Sequence, residues 1–195
     1  MTSLDYIAIV LVAVLVIAQY RLPALLKRYE KYIYVAILAL IGATLLYEVH
    51  TSFSALINAP PPDRYYAPPY NSISFFLISS WSRIVAPYVL SMIISVIALW
   101  ALLKPSRYQD RFEAGEPYMI ATSLALLRHP FWLIYACVAI VLYLLLSIYK
   151  TKRHGAAARV SFYRVWLPLT FIVLAATPLL ARITGLDVIS FANLH

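Results

Sequence analysis

The sequence predicts an all-α fold, a polytopic transmembrane helical bundle of about six spans with N- and C-termini outside, and three observations carry that prediction. Of 195 residues, 63% are hydrophobic and only 12% are charged, and the mean hydropathy is +0.80. A water-soluble surface needs charge on roughly 25% of residues; half of that leaves a surface that hydrocarbon wets better than water. The apolar residues gather into six stretches separated by polar turns, and the basic residues crowd into alternate turns.

The spans are expected at about 4–20, 32–48, 80–103, 113–128, 130–149 and 164–182 of one integral membrane domain, residues 1–195. A span needs about 20 residues at about 1.5 Å each, and five of the six stretches satisfy this. The fourth is shorter. Its apolar part, 117–127, covers roughly 17 Å. It must begin earlier, cross a thinned region, or form a half-helix inside the bundle. Arg128-His129-Pro130 ends it, because proline disfavours helix at the residue before it and lacks an N–H.

Charge sets the expected orientation. Arg21, Lys27, Arg28 and Lys31 follow the first stretch, Lys104, Arg107 and Arg111 the third, and Lys150, Lys152, Arg153, Arg159 and Arg164 the fifth. These are twelve of the 16 basic residues. Short loops rich in Lys and Arg stay on the cytoplasmic side. With six spans all three loops fall on that side; a single helix over 117–149 would put the richest loop outside. The first stretch is read as a retained span, not a signal peptide: Asp5 precedes its apolar core, no Lys or Arg does, and no small-residue cleavage site follows.

The longest outer segment is expected at 51–71. Two proline clusters, Pro60-Pro61-Pro62 and Pro68-Pro69, predict a stiff, extended course. Tyr65, Tyr66 and Tyr70, three of 16 tyrosines, suit the headgroup level, where an aromatic ring has an apolar body and a wet hydroxyl. Net charge is +8. In a soluble protein that would suggest nucleic acid; here anionic headgroups answer it, and no nucleic-acid partner is expected. The single cysteine, Cys137, can form no internal disulfide.

Ionisable groups near hydrocarbon are costly and are functional candidates. Glu48 and His50 close the second span, Arg83 stands near the start of the third, and Arg128 and His129 lie in the turn between the fourth and fifth. All share one depth on the outer side, with Arg182 and Asp187 after the sixth span. They are expected to form one polar binding cluster, with a Glu48–Arg83 or Glu48–Arg128 pair. The competing reading is a set of helix caps and snorkelling arginines. His50 and His129 are too close to helix ends for a buried haem, so neither a metal nor a cofactor is expected. No HExxH, GxSxG or phosphate-cradling glycine loop occurs, and no Asp or Glu stands at mid-span.

Three places carry a resemblance. They are Ala18-Gln19-Tyr20-Arg21-Leu22 with Lys27-Arg28-Tyr29-Glu30-Lys31-Tyr32; Ala114-Gly115-Glu116-Pro117-Tyr118; and the basic loop 150–159 running into Val160-Ser161-Phe162-Tyr163. In this layout the chain resembles the prepilin and preflagellin peptidases, six-span membrane aspartyl peptidases. Both aspartates of that family are missing. An aspartyl mechanism needs two carboxyls sharing a proton, and only Glu30 and Glu116 stand nearby. The resemblance therefore implies topology and no peptidase activity, and it assigns no catalytic residue.

The function expected from the sequence is a non-catalytic subunit or scaffold of a plasma-membrane complex of the secretion, pilus or respiratory type. Its partners are the lipid bilayer and other membrane-protein subunits. The alternatives are a divergent prepilin-peptidase-like enzyme using Glu116, and a small-solute transporter or channel built around the break at Arg128-His129-Pro130.

Overall fold

A computed structural model describes residues 3–61, 85–104, 115–154 and 162–184. Among them are six helices and no strand: α1 (Ser3–Arg21), α2 (Pro23–Ile57), α3 (Ala86–Leu103), α4 (Glu116–Leu126), α5 (Phe131–His154) and α6 (Trp166–Thr184). Four of these, α1, α2, α3 and α5, are long and apolar enough to cross a membrane; α6 carries a shorter apolar stretch, Trp166–Ala181.

The helix boundaries follow local chemistry. Proline opens three helices within the first two positions, Pro23 in α2, Pro87 in α3 and Pro117 in α4. There its fixed φ suits the turn, and its missing N–H is one of those left without an intrahelical partner. At the other end of α2 the Asn58 side chain donates to Ser54 O at 2.9 Å. Gly115, before α4, has φ +96°, a left-handed conformation that only glycine adopts without strain.

Two expectations are corrected. The second span, expected at 32–48, is part of a 35-residue helix, about 52 Å long. Residues 51–57 continue α2 and are not the start of an extended loop; 62–71 and Arg83 lie outside the described residues. The reason is that the polar residues after Tyr47 satisfy themselves along the helix. Thr51, for instance, returns its hydroxyl to Tyr47 O at 3.0 Å. The fourth segment, expected over 113–128, is an 11-residue helix, about 16 Å long. All its residues except Tyr118 and Ile120 are buried. It is the half-helix that its length allowed.

Contacts at each end show successive helices running in alternating directions. At the first end Asp5 of α1 meets Tyr88 of α3 and Arg128 after α4. At the second end Gln19 of α1 meets Tyr163 before α6, Glu30 of α2 lies on Gly115, and Glu116 of α4 meets Phe162. The half-helix α4 is the hub, packed most extensively on α3 and also on α2 and α6; α1 packs on α2 and α6, and α5 on α6.

The core uses two kinds of packing. On α1 the buried apolar positions Leu4, Ala8, Val12 and Leu15 recur every three or four residues, and on α2 Ile37, Ile41 and Leu45 every four, as one face of a helix requires. Around the hub, small residues do the work: Ser91 and Ser95 on α3, Ala121, Ser123 and Ala125 on α4 are fully enclosed. Small side chains let helix backbones approach closely, which is how helices associate where lipid removes the hydrophobic drive. On α3 the hydroxyls are satisfied locally, Ser91 donating to Pro87 O at 3.0 Å. Ser95 donates to Met92 O at 2.9 Å and lies 3.0 Å from the Tyr34 hydroxyl, which is left to act as donor in that pair. The outward faces are apolar and bulky instead, with Val10 63%, Ile17 62%, Leu46 75% and Ile140 60% exposed. Such a surface is stable in hydrocarbon and an aggregation liability in water.

Candidate functional site

Two polar clusters interrupt this apolar body, one at each end. The first is built on Asp5. The first turn of α1 leads into the core through Leu4 and Ala8, and this register turns Asp5 inward too, leaving it 3% exposed. A buried carboxylate needs donors and a counter-charge. Tyr88, two residues into α3, donates its hydroxyl to Asp5 Oδ1 at 2.7 Å. Arg128, where α4 stops, brings Nε to 3.6 Å from the same oxygen and lays its guanidinium 5.5 Å from the centre of the Phe131 ring. The turn that carries Arg128 is pinned to α3 by the His129 N–H, which donates to Pro87 O at 3.1 Å. The His129 ring lies 6.2 Å from that of Trp132, and burial lowers its pKa below the usual histidine value, favouring the neutral form.

Of the five residues expected to form an outer binding cluster, Arg128 and His129 share this place. Glu48 and His50 both stand within α2, half-buried and exposed respectively, and not at its end. Arg83 lies outside the described residues. The sequence offered Glu48 as the carboxylate for Arg128; the structure brings Arg128 Nε to Asp5. Asp5 and Tyr88 were missed. The available signal was that Asp5 is the one acidic residue in the apolar run of α1, where an unpaired charge would be untenable.

The second cluster gathers Gln19, Lys27, Glu30, Gly115, Glu116, Phe162 and Tyr163. Gln19 and Glu116 are each 1% exposed. The Gln19 amide donates to Tyr163 O. The Glu116 carboxylate accepts the Phe162 N–H at 2.5 Å, tying the start of α4 to the chain entering α6. The Lys27 ammonium lies 4.8 Å from the centre of the Tyr163 ring, within cation–π range. Glu30 packs directly on Gly115: a Cβ there would collide with the Glu30 carboxylate. Gly115 is thus needed twice, for its φ and for this approach. Buried Gln19 Oε1 and Glu30 Oε2 meet no hydrogen-bond donor. Periodicity did not reveal this site, because its members come from four segments and three precede or follow helices.

Chemically the two clusters differ. At the first end the less buried partner is the cation, the Arg128 side chain being 20% exposed against 3% for Asp5. At the second, the buried carboxylate of Glu116 is already engaged by a backbone donor. Among the described residues no group of three or more His, Cys, Asp or Glu is placed to hold a metal ion. No protein-family model, curated protein or solved structure matches the chain.

Proposed function

We propose that this chain is a multi-pass protein of the plasma membrane, crossing about six times with both termini outside, and that it serves as a non-catalytic subunit or scaffold among other membrane-protein subunits. The bulky apolar outer faces and the crowding of basic residues at one end support the placement. The observation that carries the non-catalytic reading is the engagement of Glu116. The carboxylate best placed for acid–base work is 1% exposed and joined to the Phe162 N–H, so it ties helices together and presents nothing to a substrate. Extraction in a mild detergent at native expression, followed by sizing, tests the role: a particle well above lone-chain mass with co-purifying proteins is expected, and a monomer would overturn it. Accessibility of tags at the two termini tests the orientation separately, and tags protected inside the cell would reverse it.

A second reading has one specific observation in its favour. The three segments that resemble the prepilin peptidases supply Gln19, Glu30, Glu116 and Tyr163 to one cluster. A carboxylate enzyme acting on pilin-like precursors would be supported by cleavage with the wild-type protein that is lost in Glu116→Gln. Absence of cleavage by the wild type removes this reading.

A further inference from the structure

The outward faces of three helices end in exposed tyrosines. On α1 the apolar row Val10, Val14 and Ile17 is bracketed by Tyr6 and Tyr20, about 21 Å apart along the helix. On α2 the row Val35, Leu40 and Leu46 is bracketed by Tyr32 and Tyr47, about 23 Å apart. On α5 the exposed row runs from Leu133 to Tyr149, about 24 Å, and the Tyr149 hydroxyl accepts from Arg153 at 2.9 Å. All five tyrosines are more than half exposed. Tyr6 and Tyr47 stand at the first end of the bundle, and Tyr20, Tyr32 and Tyr149 at the second. Charge follows directly beyond the rings: Arg21 after Tyr20, Lys31 before Tyr32 and Glu48 after Tyr47. Fewer than half of the 35 residues of α2 therefore lie between its two rings.

We propose that this belt fits a hydrocarbon layer of about 21–24 Å, so that the protein takes short-chain phospholipids as its lipid neighbours in preference to chains of ordinary length. A phenol ring has an apolar body and a wet hydroxyl, and it settles where hydrocarbon meets head groups. The charge beyond each ring must stay wet. At the second end the exposed cations Arg21 and Lys31 meet head-group phosphate there. An ordinary hydrocarbon core is about 30 Å thick, which would draw these charges inward. Tilting a helix lowers the height of its belt and widens the gap, so the lipid has to give, at a cost for each ångström of mismatch. Three helices agree on the height, and the long α2 does so although its full length would cross a thicker layer. The proposal rests on the membrane placement above and not on the subunit role.

The test reconstitutes the full-length protein in bilayers that mix brominated dioleoylphosphatidylcholine with dimyristoleoyl-, dioleoyl- or dierucoylphosphatidylcholine. The head groups are identical and the chains lengthen in that order. Quenching of the four tryptophans reads which lipid holds the protein surface. The dimyristoleoyl lipid is expected to displace the brominated one best, at least about threefold better than the dierucoyl lipid. Arg21→Leu/Lys31→Leu moves the first exposed charge on α2 from Lys31 to Arg28, about 4.5 Å further out, and is expected to shift the preference to the dioleoyl lipid. Arg21→Gln/Lys31→Gln removes the same charges without lengthening the belt and is expected to keep the wild-type preference. Both positions are exposed, so neither variant disturbs the core. Equal displacement by the three lipids, or a wild-type preference for either longer one, overturns the proposal. So does an unmoved preference in the leucine variant, or an equal shift in the glutamine variant. Failure of the brominated lipid to quench any tryptophan would instead remove the membrane placement itself, so the two failures are told apart.

Discussion

Arg128 Nε lies 3.6 Å from Asp5 Oδ1, and the acid is the more deeply buried member of the pair. Truncating the two is therefore unequal. Arg128→Ala strands a carboxylate in a low-dielectric site and is expected to cost about 3–5 kcal/mol. Asp5→Asn removes the charge while keeping an acceptor for the Tyr88 hydroxyl, and costs less. Asp5→Asn/Arg128→Ala recovers most of the Arg128→Ala loss. A double-mutant cycle from unfolding in detergent checks this; additive losses would show that the pair is not coupled.

Glu116 ties α4 to the segment entering α6 through the Phe162 N–H. Glu116→Ala leaves that N–H buried without an acceptor and is expected to destabilise by about 3 kcal/mol. Glu116→Gln keeps a carbonyl oxygen in the same place and should lose clearly less. Melting temperatures in detergent measure both, and equal losses would mean that charge, not the acceptor, is what the site needs.

Gly115→Ala meets two obstacles, the positive φ and the Glu30 carboxylate. The conformational part costs about 1–2 kcal/mol. The steric part vanishes if Glu30 is shortened, so Gly115→Ala/Glu30→Ala is expected to be less destabilised than the sum of its single variants. Additivity in the cycle would mean that Glu30 simply swings aside.

Burial depresses the His129 pKa, so the folded protein binds fewer protons than the unfolded chain as pH falls past the free-histidine value of about 6.5. The sign follows: the unfolded state gains the proton, and stability declines as pH drops through and below that value. His129→Asn should flatten the fall between about pH 7 and pH 5. Melting temperature against pH in wild type and variant is the measurement, and an unchanged slope would assign the dependence to another group.

Much of the helical architecture was legible because long apolar runs broken by polar turns leave so few options. Low charge and six apolar runs locate the helices and Pro130 marks a stop, but α2 runs nine residues past its expected bounds at each end, 23–57 against 32–48. The short fourth run left three readings open, an earlier start, a thinned crossing or a half-helix, and the structure has an 11-residue helix there. The end of α2 was hidden because Thr51 and its neighbours read as loop-formers, yet they bond back along a helix. The polar clusters were legible only in part. Arg128 and His129 stood out as charge and imidazole beside hydrocarbon, but their shared depth with Glu48 and His50 said nothing about azimuth around the bundle.

Composition and periodicity alone determined that the chain is all-helical, with several helices able to span a bilayer, because those properties depend on how each residue partitions between solvents and repeats along one helix. Tertiary structure decided that Arg128 turns to Asp5, that Glu30 presses on Gly115 and that Glu116 reaches Phe162. These relations join residues far apart in the chain. They depend on helix rotation and on which helix sits beside which, which the packing of small residues around α4 sets and no local pattern records.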